Sequence, residues 1–179
     1  RRKSSVGLLR FVAPAAVIAA VAVGLYALSL QQRINKLEEE LRLLRHYLHI
    51  EQARLGDRMA VHWDIAPDLD DALVPPLLLQ PLAENAIRHA IATKIAPGRL
   101  VVRAWRERDA LCLSIRDDGG ALPSQAPIRQ GVGLSNIRAR LDLLYGDEAT
   151  LTLDRLQDGG TEARVRLTLH RIASGRRAA

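Results

Sequence analysis

The sequence predicts a mixed α/β domain that follows a transmembrane helix and a coiled-coil helix. Three observations predict it. Residues 11–30, "FVAPAAVIAAVAVGLYALSL", carry no charge. Residues 31–56 then repeat Leu at three- and four-residue spacings. From Met59 onward the period switches between two and 3.6, as strands and amphipathic helices alternate. Aromatic residues make up only 3% of the 179, so the core must be built from Leu, Val, Ile and Ala.

The apolar run is long enough, at about 1.5 Å per residue, to span a hydrocarbon core. It leads into a helical pattern without a small-residue cleavage site, which argues against a secretory leader. Arg1, Arg2, Lys3 and Arg10 form a basic flank over residues 1–10, and Arg33, Lys36, Arg42 and Arg45 follow the run. Charge alone therefore does not orient it. A first residue of Arg rather than Met suggests a fragment or a modified protein.

In the next segment Ile34, Leu37, Leu41, Leu44, Leu48 and Leu55 form a heptad seam, with Glu51 interrupting one slot. The spacing fits a parallel dimer, and it equally fits a helix that packs the stripe on its own domain. The expectation adopted is a coiled-coil linker over residues 31–56, hence a homodimer.

"MAVHWDI" alternates and reads as a strand, and "DLDDALVPP" is rich in turn residues. Pro75 and Pro76 suit the first turn of a helix that runs to about Ala92. "RLVVRAWR" and "ALCLSIRD" are strands joined by a turn at Arg108 and Asp109. A Gly- and Pro-rich loop, "DGGALPSQAPIRQG", leads into the helix "VGLSNIRARLDLLYG", closed by Gly146. "ATLTLDRL" and "TEARVRLTLH" form a hairpin turning at Asp158, Gly159 and Gly160, and residues 171–179 are a polar, flexible tail.

A net charge of +6 raises nucleic-acid binding. The basic residues are dispersed, and no aromatic residues interleave them for stacking, so that class is set aside. Cys112 is the only cysteine, which excludes a disulfide framework and a thiolate metal cluster. Chemistry concentrates elsewhere. "LAENAIRHA" puts Glu84, Asn85, Arg88 and His89 on two turns of one helix, with Asn85 and His89 sharing a face. An amide oxygen is a hard ligand suited to Mg²⁺ shared with phosphates. Arg88 can neutralise a phosphate, and Glu84 can accept a proton or hold a metal-bound water. A surface helix with a Glu84–Arg88 pair is the plainer reading. Gly131 and Gly133 stand before a helix, where backbone N–H groups can meet phosphate oxygens. No Gly-Lys-Ser/Thr follows, so this is not a P-loop.

Order joins these pieces: a helix with Asn, two strands ending in Asp117, a Gly-rich loop, a helix, and a hairpin with Gly-Gly-Thr. From about Leu37 to Leu169 the chain resembles the LytS-type sensor histidine kinases, whose ATP-binding domain has the GHKL (Bergerat) fold. "LRHYLHIEQARLGDRM", "VPPLLLQPLAENAIRHA", "IRDDGG", "GVGLSNIRARLDLLYG" and "GGTEARVRLTL" carry the resemblance. It implies an α+β two-layer sandwich over residues 57–170, a mixed sheet with helices on one face. It implies ATP and Mg²⁺ as ligands, with Asn85 on the metal and Arg88 and His89 near the phosphates. Asp117 would receive the adenine amino group, Gly119 would keep the pocket floor open, Gly131 and Gly133 would shape the lid, and Thr161 would lie near the base.

Two departures stand out. Asp118 and Ala121 occupy the Asn and second Gly of the family's Asp-Asn-Gly-x-Gly loop. The family's phosphoacceptor segment, resembling Pro-His-Phe-x-x-Asn, has no counterpart, and His46 and His49 lack its context. The expected function is therefore the catalytic region of a membrane-anchored sensor histidine kinase. It would sit on the cytoplasmic side of the inner membrane, phosphorylate a histidine outside this segment, and serve a response regulator. A nucleotide-binding regulatory module without phosphotransfer (a pseudokinase) is the alternative, with a related serine kinase or ATPase behind it.

Overall fold

The computed structural model describes residues 35–92, 96–119, 132–157 and 159–171. Expectations for the run 11–30, for Ala121 and Gly131, for the turn residue Asp158 and for residues 172–179 of the tail fall outside them. Among the described residues no helix is long and apolar enough to cross a membrane.

Among the described residues, seven strands and three α-helices follow in chain order: β1 (Asn35–Lys36), α1 (Leu37–Leu55), β2 (Met59–Ile65), β3 (Leu73–Val74), α2 (Leu79–Ala86), β4 (Gly98–Glu107), β5 (Ala110–Asp117), α3 (Val132–Tyr145), β6 (Ala149–Arg155) and β7 (Thr161–Thr168). The main sheet has the order β2-β4-β5-β7-β6. β2 and β4 are parallel, with α2 in the connection between them, and the other neighbours are antiparallel. The mixed sheet and its long hairpins match the expectation. The short β1–β3 pair does not appear in the sequence pattern, because two-residue strands have no period to read.

Alternation decides the faces. Leu100, Val102 and Ala104 on β4, Leu111, Leu113 and Ile115 on β5, and Ala163, Val165 and Leu167 on β7 are buried in one cluster with leucines of all three helices. That cluster contains no aromatic residue; Tyr47, Trp63 and Tyr145 pack at its margin. On the other face, register brings Asp64 opposite Arg103, and their side chains pair at 2.8 Å. Arg103 and Arg164 lie 5.3 and 5.5 Å from the Trp105 ring. These surface pairs, one across neighbouring strands and two onto the Trp105 ring, contribute about 0–1 kcal/mol each.

The leucine seam is where the structure departs most from expectation. Leu37, Leu41, Leu44 and Leu48 are 0, 7, 0 and 1% exposed, and all belong to the core shared with the sheet. α1 packs its stripe on its own domain, and burying each leucine contributes roughly 1.5–3 kcal/mol. These four leucines are thus not open to a second chain, and the expected boundary between linker and domain at residue 56 does not divide the core. A further correction concerns Pro75 and Pro76. They precede the helix rather than open it. Leu77 has φ 53°, a left-handed backbone that cannot continue a helix, so α2 begins at Leu79.

Candidate functional site

Asp117 ends β5 at 1% exposure, and the pairing of β5 with β7 brings Thr161 beside it. Its Oδ2 accepts from Thr161 Oγ1 at 2.5 Å. Its Oδ1 accepts from the Gly119 and Thr161 amides at 2.9 and 3.3 Å. A carboxylate has about four acceptor sites, so one remains after these three donors.

Two glycines let this corner close. A Cβ on Gly160 would lie 2.0 Å from the Asp117 carbonyl oxygen, and φ there is +82°. A Cβ on Gly119 would lie 2.2 Å from the Cβ of Ala90. Gly119 therefore seats the Asp117 loop directly on the helical segment that carries Arg88 and His89. Asp118 is engaged as well: its Oδ1 accepts the Arg99 amide at 2.7 Å, and its own amide reaches the Arg99 carbonyl at 3.2 Å.

The other cluster lines a groove of about 270 Å³ formed by Pro81, Glu84, Asn85, Arg88, His89, Val132, Gly133 and Leu134. The N-terminus of α3 thus faces the side chains of α2. Asn85 is half-buried, whereas Arg88 and His89 are exposed. The segment Ile87–Ile91 continues α2 as a π-helix, with the Ala92 amide donating to the Ile87 carbonyl at 2.8 Å. Such widened turns recur at functional sites. Asn85 and His89 still reach one groove, although the spacing predicts an ordinary α-helical face. Glu84 accepts from Gln80 Nε2 at 2.9 Å. It also borders a second groove of about 420 Å³ with Tyr47, Glu51, Arg54, Ile87, Arg88 and Ala92. Burial pushes the Tyr47 hydroxyl up to about 12, and the nearby Glu51 and Glu84 add to the rise.

The structure thus gathers Glu84, Asn85, Arg88, His89 and Gly133 in one groove, and Asp117, Gly119 and Thr161 in one corner. Gly131 lies outside the described residues. Sequence reasoning missed Gly160, Ala90 and Pro81 as parts of this surface. The Gly-Gly pair before Thr161 signals the first, while nothing local signals the others. Among the described residues no three His, Cys, Asp or Glu side chains converge as a metal cluster. A divalent cation here would lean on the Asn85 amide and on oxygens brought by the ligand. That donor chemistry fits Mg²⁺, which keeps several waters and takes few protein ligands.

Comparison with known proteins bears on the family and the fold. The family described as histidine kinase-, DNA gyrase B- and HSP90-like ATPase matches residues 71–171. Sensor histidine kinase YesM of Bacillus subtilis is 30% identical over 138 residues, covering 75% of this chain and 24% of that protein. Sensor protein LytS of Staphylococcus saprophyticus is 33% identical over 147 residues, covering 76% and 25%. The chain therefore spans about a quarter of the length of these relatives. Among solved structures, the nucleotide-free catalytic domain of histidine kinase ThkA superposes with a TM-score of 0.58 at 13% identity, covering 78% of this chain and 97% of that one. A mycobacterial sensor histidine kinase, MprB, gives 0.54 at 18%, covering 78% and 98%. At such identities the structures speak for the fold, and the sequence matches speak for descent: this chain belongs to the histidine kinase-, DNA gyrase B- and HSP90-like ATPase family.

Proposed function

We propose that this chain is the ATP-binding catalytic region of a membrane-anchored sensor histidine kinase, which transfers the γ-phosphate of ATP to a histidine outside this segment. One observation carries the reading. A groove holding an amide, a guanidinium and an imidazole lies on the same helical segment that Gly119 joins to a buried carboxylate suited to an amino group.

Asp117 accepts the adenine amino group at its remaining acceptor site, while Thr161 and the Gly119 amide hold the carboxylate in place. Asn85 holds Mg²⁺, and Arg88 and His89 flank the phosphates with Gly133 at the start of α3. When bound, Mg²⁺ supplies charge neutralisation and alignment of the phosphate oxygens. Phosphoryl transfer rests mostly on positioning and charge, so the domain needs no covalent nucleophile of its own. Glu84, beside Asn85 and turned toward both grooves, orients the incoming acceptor or takes up its proton. Relatives named as sensor kinases favour phosphotransfer over a purely regulatory module.

Residues 11–30 anchor the protein in the inner membrane, and ATP requires the domain to face the cytoplasm. A response regulator is the downstream partner. The active species is a homodimer, and its contact draws on residues other than the buried leucines of α1.

Incubation with γ-labelled ATP and Mg²⁺, with and without a phosphoacceptor-helix fragment of a related kinase, tests the proposal. Acid-labile label is expected on the fragment, with little on this chain. ATP binding without label on either would turn the assignment to a regulatory module. Strong label on this chain that disappears in His46→Gln or His49→Gln would move the acceptor inside it.

A further inference from the structure

α2 is capped from a distance. Its first amides find no side-chain acceptor at the N-cap residue, Leu78. They are met by Glu40, in the first turn of α1 and 2% exposed. Glu40 Oε1 accepts from the Leu77 amide at 2.5 Å, and Oε2 accepts from the Leu78 and Leu79 amides at 2.9 and 3.4 Å. A carboxylate there also answers the partial positive charge of the helix start. From the other side, Arg140 of α3 donates to the Pro76 carbonyl. The loop before α2 is gripped through its N–H groups by α1 and through a carbonyl by α3.

Leu77 sits between the two grips. It is a non-glycine residue at φ 53°, and it is 52% exposed. Core packing does not hold it in that conformation. Strained backbone of this kind persists where surrounding contacts over-determine it. The start of α2 is therefore set by α1 and α3 rather than by its own sequence. Asn85 lies six residues further on, about 9 Å along a rigid helix.

We infer that Glu40 is a positioning residue for the nucleotide groove, and that α1 governs the placement of Asn85 through it. The inference rests on α2 being the nucleotide helix. Displacing α1 withdraws the cap, frees the strained loop and shifts or frays α2, so nucleotide binding and the position of α1 are coupled. By linkage the coupling runs both ways: bound nucleotide must also steady α1.

The test uses the 179-residue chain as wild type, Glu40→Gln and Glu40→Asp. ATP·Mg²⁺ titration is combined with amide hydrogen exchange in the presence and absence of nucleotide. Glu40→Gln should lose about tenfold in affinity, the scale of one lost hydrogen bond to a charged group. Without nucleotide, faster exchange should be confined to residues 77–91, with strands β4 and β5 unchanged. In the wild type ATP should slow exchange in α1 as well as α2; in Glu40→Gln that protection should stop at α2. Glu40→Asp keeps the charge and should lie between the two, and it carries the same readouts if Glu40→Gln does not fold. Wild-type affinity and undiminished protection of α1 in a folded variant would overturn the inference. Faster exchange spread evenly over the sheet would also overturn it, because that marks general destabilisation. A wild type that binds no ATP would instead defeat the nucleotide reading, and exchange without nucleotide would then decide the role of Glu40 alone.

Discussion

At the end of β5, Asp117 is 1% exposed and its oxygens accept from Gly119 and Thr161. On α2 and its π-helical extension, Asn85 is half-buried, and Arg88 and His89 stand open to solvent. The first cluster is fixed by sheet register and by two glycines that admit no side chain. The second hangs on a helix whose start is held from α1 and α3. A group that selects one base benefits from a rigid, desolvated setting. Groups that meet phosphates and a metal gain from an open setting, where ligand and ion can enter and leave.

The largest expected effect comes from breaking the rigid end. Gly160→Ala drives a Cβ to 2.0 Å from the Asp117 carbonyl. Overpacking costs about 1–3 kcal/mol, and the left-handed backbone adds about 1–2 kcal/mol. Gly119→Ala should cost about the overpacking portion alone. Urea midpoints give both values, and a loss below about 0.5 kcal/mol in Gly160→Ala, no more than an ordinary surface change, would deny that this corner is tightly closed.

Asp117→Asn comes next, at about 1.5–3 kcal/mol of ATP affinity, because a charged acceptor is lost. The preference for ATP over GTP should narrow with it, since a carboxylate can only accept while an amide can also donate. Equal affinity of the parent chain for the two nucleotides would break the assignment of Asp117 to the base.

At the open end, Asn85→Ala should weaken Mg²⁺-dependent ATP binding by about 1–3 kcal/mol. Folding stability should change by no more than about 0.5 kcal/mol, since the side chain is not core. Calorimetric titration with thermal melting separates the two quantities. Unchanged binding removes Asn85 from the site, and a large stability loss erases the contrast between the two ends.

The smallest effect is a pH window beside Glu84. Burial favours the neutral Tyr47 hydroxyl and pushes it up to about 12 in the fold, from 10 for the free group. The folded state holds that proton more tightly, so its contribution is full below pH 10 and is lost as pH rises toward 12. The parent chain should lose stability across that window more steeply than Tyr47→Phe. An ultraviolet titration in which Tyr47 ionises near 10 would show this groove to be as open as the one beside it.

Much of this was legible in the residues. Period-two runs marked β2 and β4 to β7, Gly-Gly marked the last hairpin, and the helix with Asn85 stood out by its polar types. Both clusters of the candidate site were nameable, because amides, carboxylates and loop glycines in that order have few other uses. The direction of the leucine stripe was not legible. Over three or four heptads a seam for a partner and a stripe for one's own sheet have nearly the same spacing.

Sequence alone determined the local elements, because a period and a turn residue act over a few positions. It also determined the family, because the order of those elements is itself specific. Only the tertiary structure decided that α1 spends its leucines on the domain core and that Gly119 rests on Ala90. It alone brought Glu40 to the amides of α2, 37 to 39 residues away in the chain. A buried carboxylate finds its donors wherever packing brings them, and no pattern along the chain encodes a partner at that distance.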